Sequence, residues 1–306
     1  MRGFDRTEPK TQMKILHVHA HFDDFEFVAS GSFEIWRRAL GEQLRARVMV
    51  CTDGKAGHHF RTREETGRVR LAEQLESARI GKYEFEQLLL PDGTAPREAC
   101  LQVSPALMAG LWKAVRAFEP DYLFCPPVPN DPLAGIHVDH VAVAEAVRKT
   151  AYMFNVPHAF TPEFPADETK SESKKTPVIL NVHDGYMTGE NAFDLVIDVE
   201  EAFDVMVEEA FAHRSQIMEW IPWVGRHDMA PPKTIDEWRG ILRRRCLKRN
   251  REMGVASERV FEFFKVTAWG SVPVIEDLLR DIPNVSKEFS PLETLEKRLK
   301  RWRGEG

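Results

Sequence analysis

Short apolar runs alternate with longer amphipathic stretches through the first half of this 306-residue chain. Residues 13–20 (MKILHVHA) read as a buried strand and 25–40 as a helix. A second strand is expected at 45–51, then a charged helix over 62–80 closed by Gly81. Residues 85–90 form a third strand, stopped by the turn signal Pro91-Asp92-Gly93-Thr94. A helix near 103–118 and a strand at 121–125, broken by Pro126-Pro127, complete the half. Strands joined by helical crossovers predict an α/β fold, with a Rossmann-like, mostly parallel sheet and helices on both faces. The second half is less regular. The polar run 167–175 predicts an exposed loop, with strands at 178–182 and 193–199 and a helix at 200–219. Residues 221–235 are proline-rich; a basic helix at 235–251, a strand at 259–267 and a helix at 291–302 follow. With no repeat or linker, the expectation is one domain over 1–306, its core at about 13–220 and a helical C-terminal elaboration at about 221–306.

The chemistry gathers at two strand ends. His21-Phe22-Asp23-Asp24-Phe25-Glu26 follows the first strand, and His137-Val138-Asp139-His140 follows the fourth and opens a helix. In parallel α/β sheets, ligands collect beyond the carboxyl ends of the strands. Imidazoles and carboxylates bind divalent metals and move protons. His21 and Asp24 stand at i and i+3 across a tight turn, so they can converge; His137 and His140 have the same spacing. A catalytic metal site keeps three protein ligands and one open position. His21, Asp24 and His140 make such a set. Asp23 is then left to accept a proton from water, and His137 to polarise or protonate the substrate. Asp139, pointing elsewhere, suits holding a histidine N–H from behind. The predicted reaction is metal-assisted hydrolysis of a carbonyl compound. A lone His-x-Asp-Asp also reads as a helix cap beside a satisfied histidine, but two such clusters on one sheet make coincidence a poor account.

Bulk properties narrow the class. Hydrophobic residues are 43% of the chain, charged residues 29%, and the net charge is -6. This balance favours neither nucleic acid nor an anionic membrane surface. No apolar run reaches the ~18 residues that span a bilayer, and Met1–Asp5 lacks the apolar core of a secretory signal. A cytoplasmic protein is expected, with Cys51, Cys100, Cys125 and Cys246 as reduced, mostly buried thiols, since none has CxxC spacing.

The ordered motifs resemble the PIG-L/LmbE family of zinc-dependent N-deacetylases. AHFDDFE at 20–26 is similar to the family's Ala-His-Pro-Asp-Asp-x-Glu, and HVDH at 137–140 to its His-Pro-Asp-His. Weaker matches fall in order: TDGKAG at 52–57, RLAE at 70–73, LPDG at 90–93, EPDYLF at 119–124, FDLVIDV at 193–199 and HRSQ at 213–216. The resemblance implies an LmbE-like fold and release of acetate from an N-acetylglucosamine-type sugar or conjugate. It also implies one zinc ion per chain (iron or cobalt being chemically admissible) held by His21, Asp24 and His140. Asp23 would then be the general base, His137 the electrostatic or acid residue and Asp139 the residue orienting it, with Arg70 and Asp92 contacting sugar hydroxyls. Both motif prolines are replaced, by Phe22 and Val138, which relaxes loop stiffness; Phe22 is placed to narrow the pocket mouth. Gly135 stands where some relatives carry a tyrosine near the reacting carbonyl.

Other residues favour plainer roles. His58-His59 reads as an exposed loop pair, His17 and His19 as packed core histidines, and His213 as part of a fold-holding polar network. His183-Asp184 follows a strand end and can line the pocket. The basic runs at 239–251 and 297–303 read as solvated helix faces. The aromatics of 218–223 suit a sugar-stacking wall or a homo-oligomer contact. The alternative function is a Rossmann-like sugar- or nucleotide-binding protein whose metal is structural and whose His137 closes the ligand shell.

Overall fold

The first strand, β1 (Met13–His19), is buried on both faces, as strands of a parallel sheet covered by helices must be. Leu16, Val18 and Ala20 pack with Leu107, Leu111, Val143 and Val147 on one side. Met13 and Ile15 pack with Trp36, Val207 and Trp238 on the other. The computed structural model describes residues 12–167, 175–187, 191–225 and 229–305. The start of the chain and most of the polar loop expected at 167–175 lie outside the described residues.

The chain continues through α1 (Asp24–Val28), α2 (Ser30–Leu40), β2 (Leu44–Val50), α3 (Arg63–Gly81), β3 (Glu84–Gln87), α4 (Pro105–Phe118), β4 (Tyr122–Cys125), α5 (Val138–Ala151) and β5 (Val178–Val182). It then forms β6 (Leu195–Asp198), α6 (Phe203–Ala212), a π-helical turn (Ser215–Trp220), α7 (Ile221–Val224), α8 (Ile235–Glu252), β7 (Phe261–Val266), α9 (Ile275–Asp281) and α10 (Leu292–Arg303). The seven strands lie in the order β3-β2-β1-β4-β5-β7-β6. β1 to β5 run parallel, and β7 runs antiparallel to both β5 and β6. The expected α/β class and mostly parallel sheet are what the structure has. Strand order reverses between β1 and β4, which opens a crevice at their carboxyl ends.

Two departures have physical causes. The helix expected over 25–40 breaks at Ala29, and α2 starts afresh with its Gly31 and Ser32 N–H groups donating to the Glu262 carboxylate at 3.0 and 2.8 Å. Those first-turn donors have no partner inside their own helix. Glu262 belongs to β7, so the stretch expected as an elaboration supplies a strand between β5 and β6 and caps a core helix. The helix expected over 200–219 likewise ends at Ala212 and resumes as the π-turn. Among the described residues no helix is long and apolar enough to cross a membrane.

Candidate metal centre and its cavity

A cavity of about 360 Å³ opens at the carboxyl ends of β1 and β4, within the ~300–1,000 Å³ typical of small-molecule sites. It gathers His21, Asp23, Asp24, Arg70, His137, Asp139 and His140. Asp92 is not among its lining residues. That side chain is exposed on the turn after β3 and accepts from the Thr94 N–H and hydroxyl at 2.9 and 2.7 Å. The carboxylate is therefore spent closing its own turn, away from the lining of the cavity.

β1 ends at His19, and the chain turns sharply so that His21 and Asp24 meet. The Asp24 carboxylate accepts from the His21 backbone N–H at 2.7 Å and stands 2.5 Å from Nδ1 of His19. The turn is made by Asp23 in the left-handed region, at φ 90°, a strained conformation for a non-glycine residue. Its N–H donates to Gln74 Oε1 at 3.3 Å, and Arg70 Nη2 holds its Oδ1 at 3.2 Å. Burial pushes the Asp23 pKa up against the pull of Arg70. Arg70 also donates to the Phe22 carbonyl at 2.5 Å and to Glu98 Oε1 at 2.7 Å. Three of its bonds thus anchor the site, and only its Nε has no partner.

Donor atoms of three residues converge. His21 Nδ1 lies 3.2 Å from Asp24 Oδ2 and 3.2 Å from His140 Nε2, and His140 Nε2 lies 3.4 Å from Asp24 Oδ1. Ligands at ordinary zinc bond lengths in a tetrahedron stand ~3.3 Å apart, so the residues fit a small divalent cation. The far nitrogen of each histidine faces a carboxylate: His21 Nε2 and Asp139 Oδ2 are 3.0 Å apart, as are His140 Nδ1 and Asp184 Oδ2. Such backing fixes ring orientation at metal sites. Burial alone would depress both imidazoles, yet Asp24 with Asp139 lifts His21 to about 10, and Asp24 with Asp184 lifts His140 to about 9. The surroundings favour positive charge at these nitrogens, as a bound cation requires.

His137 differs. Its ring nitrogens come near those of His21 and His140, but no carboxylate stands behind it. As the residue preceding α5, its Nδ1 accepts the Asp139 N–H at 3.2 Å. That leaves the proton of the neutral ring on Nε2, an assignment drawn from the hydrogen bond. Burial, then His21 and His140, pull its pKa down to about 4. The expectation that Asp139 orients His137 is corrected: its carboxylate faces inward to His21 and takes the Ala99 and Leu101 N–H groups at 2.7 and 3.0 Å.

Phe22 does not narrow the mouth. Its ring is 1% exposed, packed under Gly54, where a Cβ would fall 2.0 Å from the ring. The histidine pair at 58–59 divides: His58 pairs with Glu219 of the π-turn at 2.7 Å, and exposed His59 stacks on Trp223 at 4.7 Å. His213 is buried 3.0 Å from Glu26, which also takes Gln74, Ser77 and Tyr83. Cys100 is exposed; the other three cysteines are buried.

Glu98, Tyr186 and Arg245 line the cavity without belonging to any motif, and Trp220 of the 218–223 aromatics lines it too. Tyr186 has its ring 5.1 Å from His137 and 5.3 Å from His140, so a tyrosine borders the reacting position although Gly135 does not supply it. Spacing could have flagged Arg245 alone, at i+7 from the buried Trp238 of α8.

Residues 16–151, which carry both clusters, match the PIG-L family, described as GlcNAc-PI de-N-acetylase. This stretch is similar to the PIG-L family. The PIG-L/LmbE resemblance of the motifs therefore stands. No curated protein matches the sequence. Similar solved structures include an N,N'-diacetylchitobiose deacetylase from Pyrococcus horikoshii, at 21% identity over 87% of this chain and 88% of that one, TM-score 0.59. A conserved protein from Thermus thermophilus has 20% identity over 83% and 94%, TM-score 0.57. The 4-carboxy-2-hydroxymuconate hydratase from Pseudomonas putida has 13% identity over 84% and 96%, TM-score 0.55. These share the fold over 83–87% of the chain, beyond the PIG-L segment.

Proposed function

We propose that this protein is a metal-dependent amide hydrolase that removes the N-acetyl group from an N-acetylglucosamine-type sugar or its conjugate. The observation that carries this reading is the convergence of His21 Nδ1, Asp24 and His140 Nε2 within 3.4 Å, with Asp23 and His137 lining the same cavity. The family's description and the name of the Pyrococcus protein both denote removal of acetyl from amino sugars. The hydratase shares the fold, so fold alone does not choose the chemistry; the donor set supports the hydrolase reading.

A divalent ion on His21, Asp24 and His140 would act as a Lewis acid, lowering the pKa of a coordinated water and polarising the carbonyl. Mixed nitrogen and oxygen donors suit zinc, and also iron or cobalt. Asp23, held by Arg70 and its turn, accepts the proton of the attacking water. His137, neutral with its proton on Nε2, can donate a hydrogen bond that polarises the carbonyl oxygen, while the proton taken up by Asp23 passes to the departing nitrogen. Asp139 and Asp184 keep the two ligand rings in register. His137 is the one histidine of the three without a carboxylate behind it, which supports a catalytic rather than a ligating place for it.

The test is acetate release from a panel of N-acetylglucosaminides by zinc-loaded protein, chelated protein and Asp23→Asn. Release by the loaded wild type, lost on chelation and in Asp23→Asn, supports the reading. Metal bound at one ion per chain with no release across the panel would overturn it in favour of the binding-protein alternative.

A further inference from the structure

The sequence reads α8 as a basic, solvated helix, and three of its seven cations, Arg239, Arg243 and Lys248, pair with carboxylates at the surface. Arg239 pairs with Asp204, and Arg243 with Glu200 at 2.9 Å. Its inward face carries Trp238, Leu242 and Arg249. Arg245 falls on that face, at i+7 from Trp238 and i+3 from Leu242, and lines the catalytic cavity.

Arg245 has no carboxylate within ion-pair distance among the described residues. Its guanidinium lies over the Phe27 ring at 4.8 Å, and its Nη1 is 3.9 Å from the Met229 sulfur. Neither contact neutralises a cation. The cavity's five carboxylates are engaged elsewhere: Asp23 and Glu98 with Arg70, Asp24 with the histidines, Asp139 with His21 and Asp184 with His140. Burial pulls the Arg245 pKa down. The mount is nonetheless firm. Arg249, one turn on, donates to the Phe27 carbonyl at 2.7 Å and so fixes the ring on which Arg245 lies.

We propose that Arg245 recognises an anionic oxygen group, phosphate or carboxylate, on the part of the substrate that extends away from the acetamide, so that the preferred substrate is an acidic N-acetylated amino sugar. This rests on the hydrolase reading and names its substrate class. A planar guanidinium fork matches either oxyanion with paired hydrogen bonds. In a half-enclosed cavity a group of this kind discriminates strongly between charged and neutral ligands, because leaving the cation unmatched is costly.

The experiment compares N-acetylglucosamine, its 1-phosphate, its 6-phosphate and N-acetylmuramate on the full chain, as wild type, Arg245→Met and Arg245→Lys. Two readouts are taken: kcat/KM of the zinc-loaded protein, and binding to chelated protein through tryptophan fluorescence, Trp220 lining the same cavity. The expected result is at least a tenfold preference for one acidic sugar over N-acetylglucosamine, the phosphate and carboxylate arms showing which oxyanion is read. Arg245→Met should cut that ratio at least tenfold, and Arg245→Lys should retain part of it, which separates lost charge from misfolding. Equal handling of acidic and neutral sugars by the wild type, or a preference that survives Arg245→Met, would overturn the proposal. If no amide is cleaved but acidic sugars still bind in an Arg245-dependent way, the hydrolase reading falls and the anion site stands. Cleavage indifferent to charge gives the reverse.

Discussion

The cavity has two walls, and they are built on opposite principles. The wall at the ends of β1 and β4 is electrostatically closed: each of its ionised groups meets a named partner, and both candidate ligand histidines are backed by a carboxylate. The wall made by Tyr186, Trp220 and Arg245 is largely aromatic, and its one guanidinium has no carboxylate within ion-pair distance among the described residues. The first wall is finished without a substrate; the second is not. A reaction centre must be held in one geometry before the substrate arrives, whereas a specificity surface gains by leaving groups for the substrate to complete.

The comparison breaks first at the metal. His140→Ala removes a donor that stands 3.2 Å from His21 Nδ1. Metal content by plasma emission should fall to background, and acetate release with it. If release survives, the sheet-end wall is not the reaction centre. Asp23→Asn is the next largest effect: a lost general base costs about 10²–10⁴-fold in kcat, here with metal content unchanged, because Asp23 makes none of the three close donor contacts. Loss of metal in Asp23→Asn would mean that the ligand set has been drawn wrongly.

Asp184→Asn tests the backing of His140. Removing the partner of a ligand histidine weakens metal binding by about 10–100-fold, measurable by competition with a chromogenic chelator. Asp139→Asn should act similarly through His21, and should also loosen residues 99–101, whose N–H groups it accepts. A kcat effect in Asp139→Asn without any loss of metal affinity would restore the reading in which this carboxylate serves His137.

What the sequence discloses follows the same division. The first wall is local: a buried strand that ends in His-x-Asp-Asp and a helix that opens on His-x-x-His put chemistry at strand ends, where parallel sheets bind ligands. The pairing of Asp139 is less legible, because i and i+2 on the first turn of α5 does not say whether its carboxylate turns back to His137 or across to β1. The second wall is assembled from single residues far apart in the chain. Tyr186 sits just past β5, and Arg245 is inward-facing on a helix whose other arginines, Arg249 apart, are at the surface. No local pattern marks them, and net basicity argued against looking. The break at Ala29 was hidden for the same reason, since Glu262, the acceptor that allows a new helix to start, lies 231 residues from Gly31.

The smallest effect is expected at Asp92, the residue that resemblance and structure treat most differently. Its carboxylate is exposed and spent on Thr94, so Asp92→Ala should lower the melting temperature only slightly, through the lost turn hydrogen bonds, and leave KM for any N-acetylated sugar within a factor of about two. Thermal melting and steady-state kinetics read the two separately. A tenfold rise in KM would show that the turn at 91–94 folds over bound sugar, adding a third wall that forms only with substrate present. The second wall would then no longer be the sole place where specificity is left for the ligand to complete, and the charge test on Arg245 would need to be repeated in the Asp92→Ala background to apportion selectivity between them.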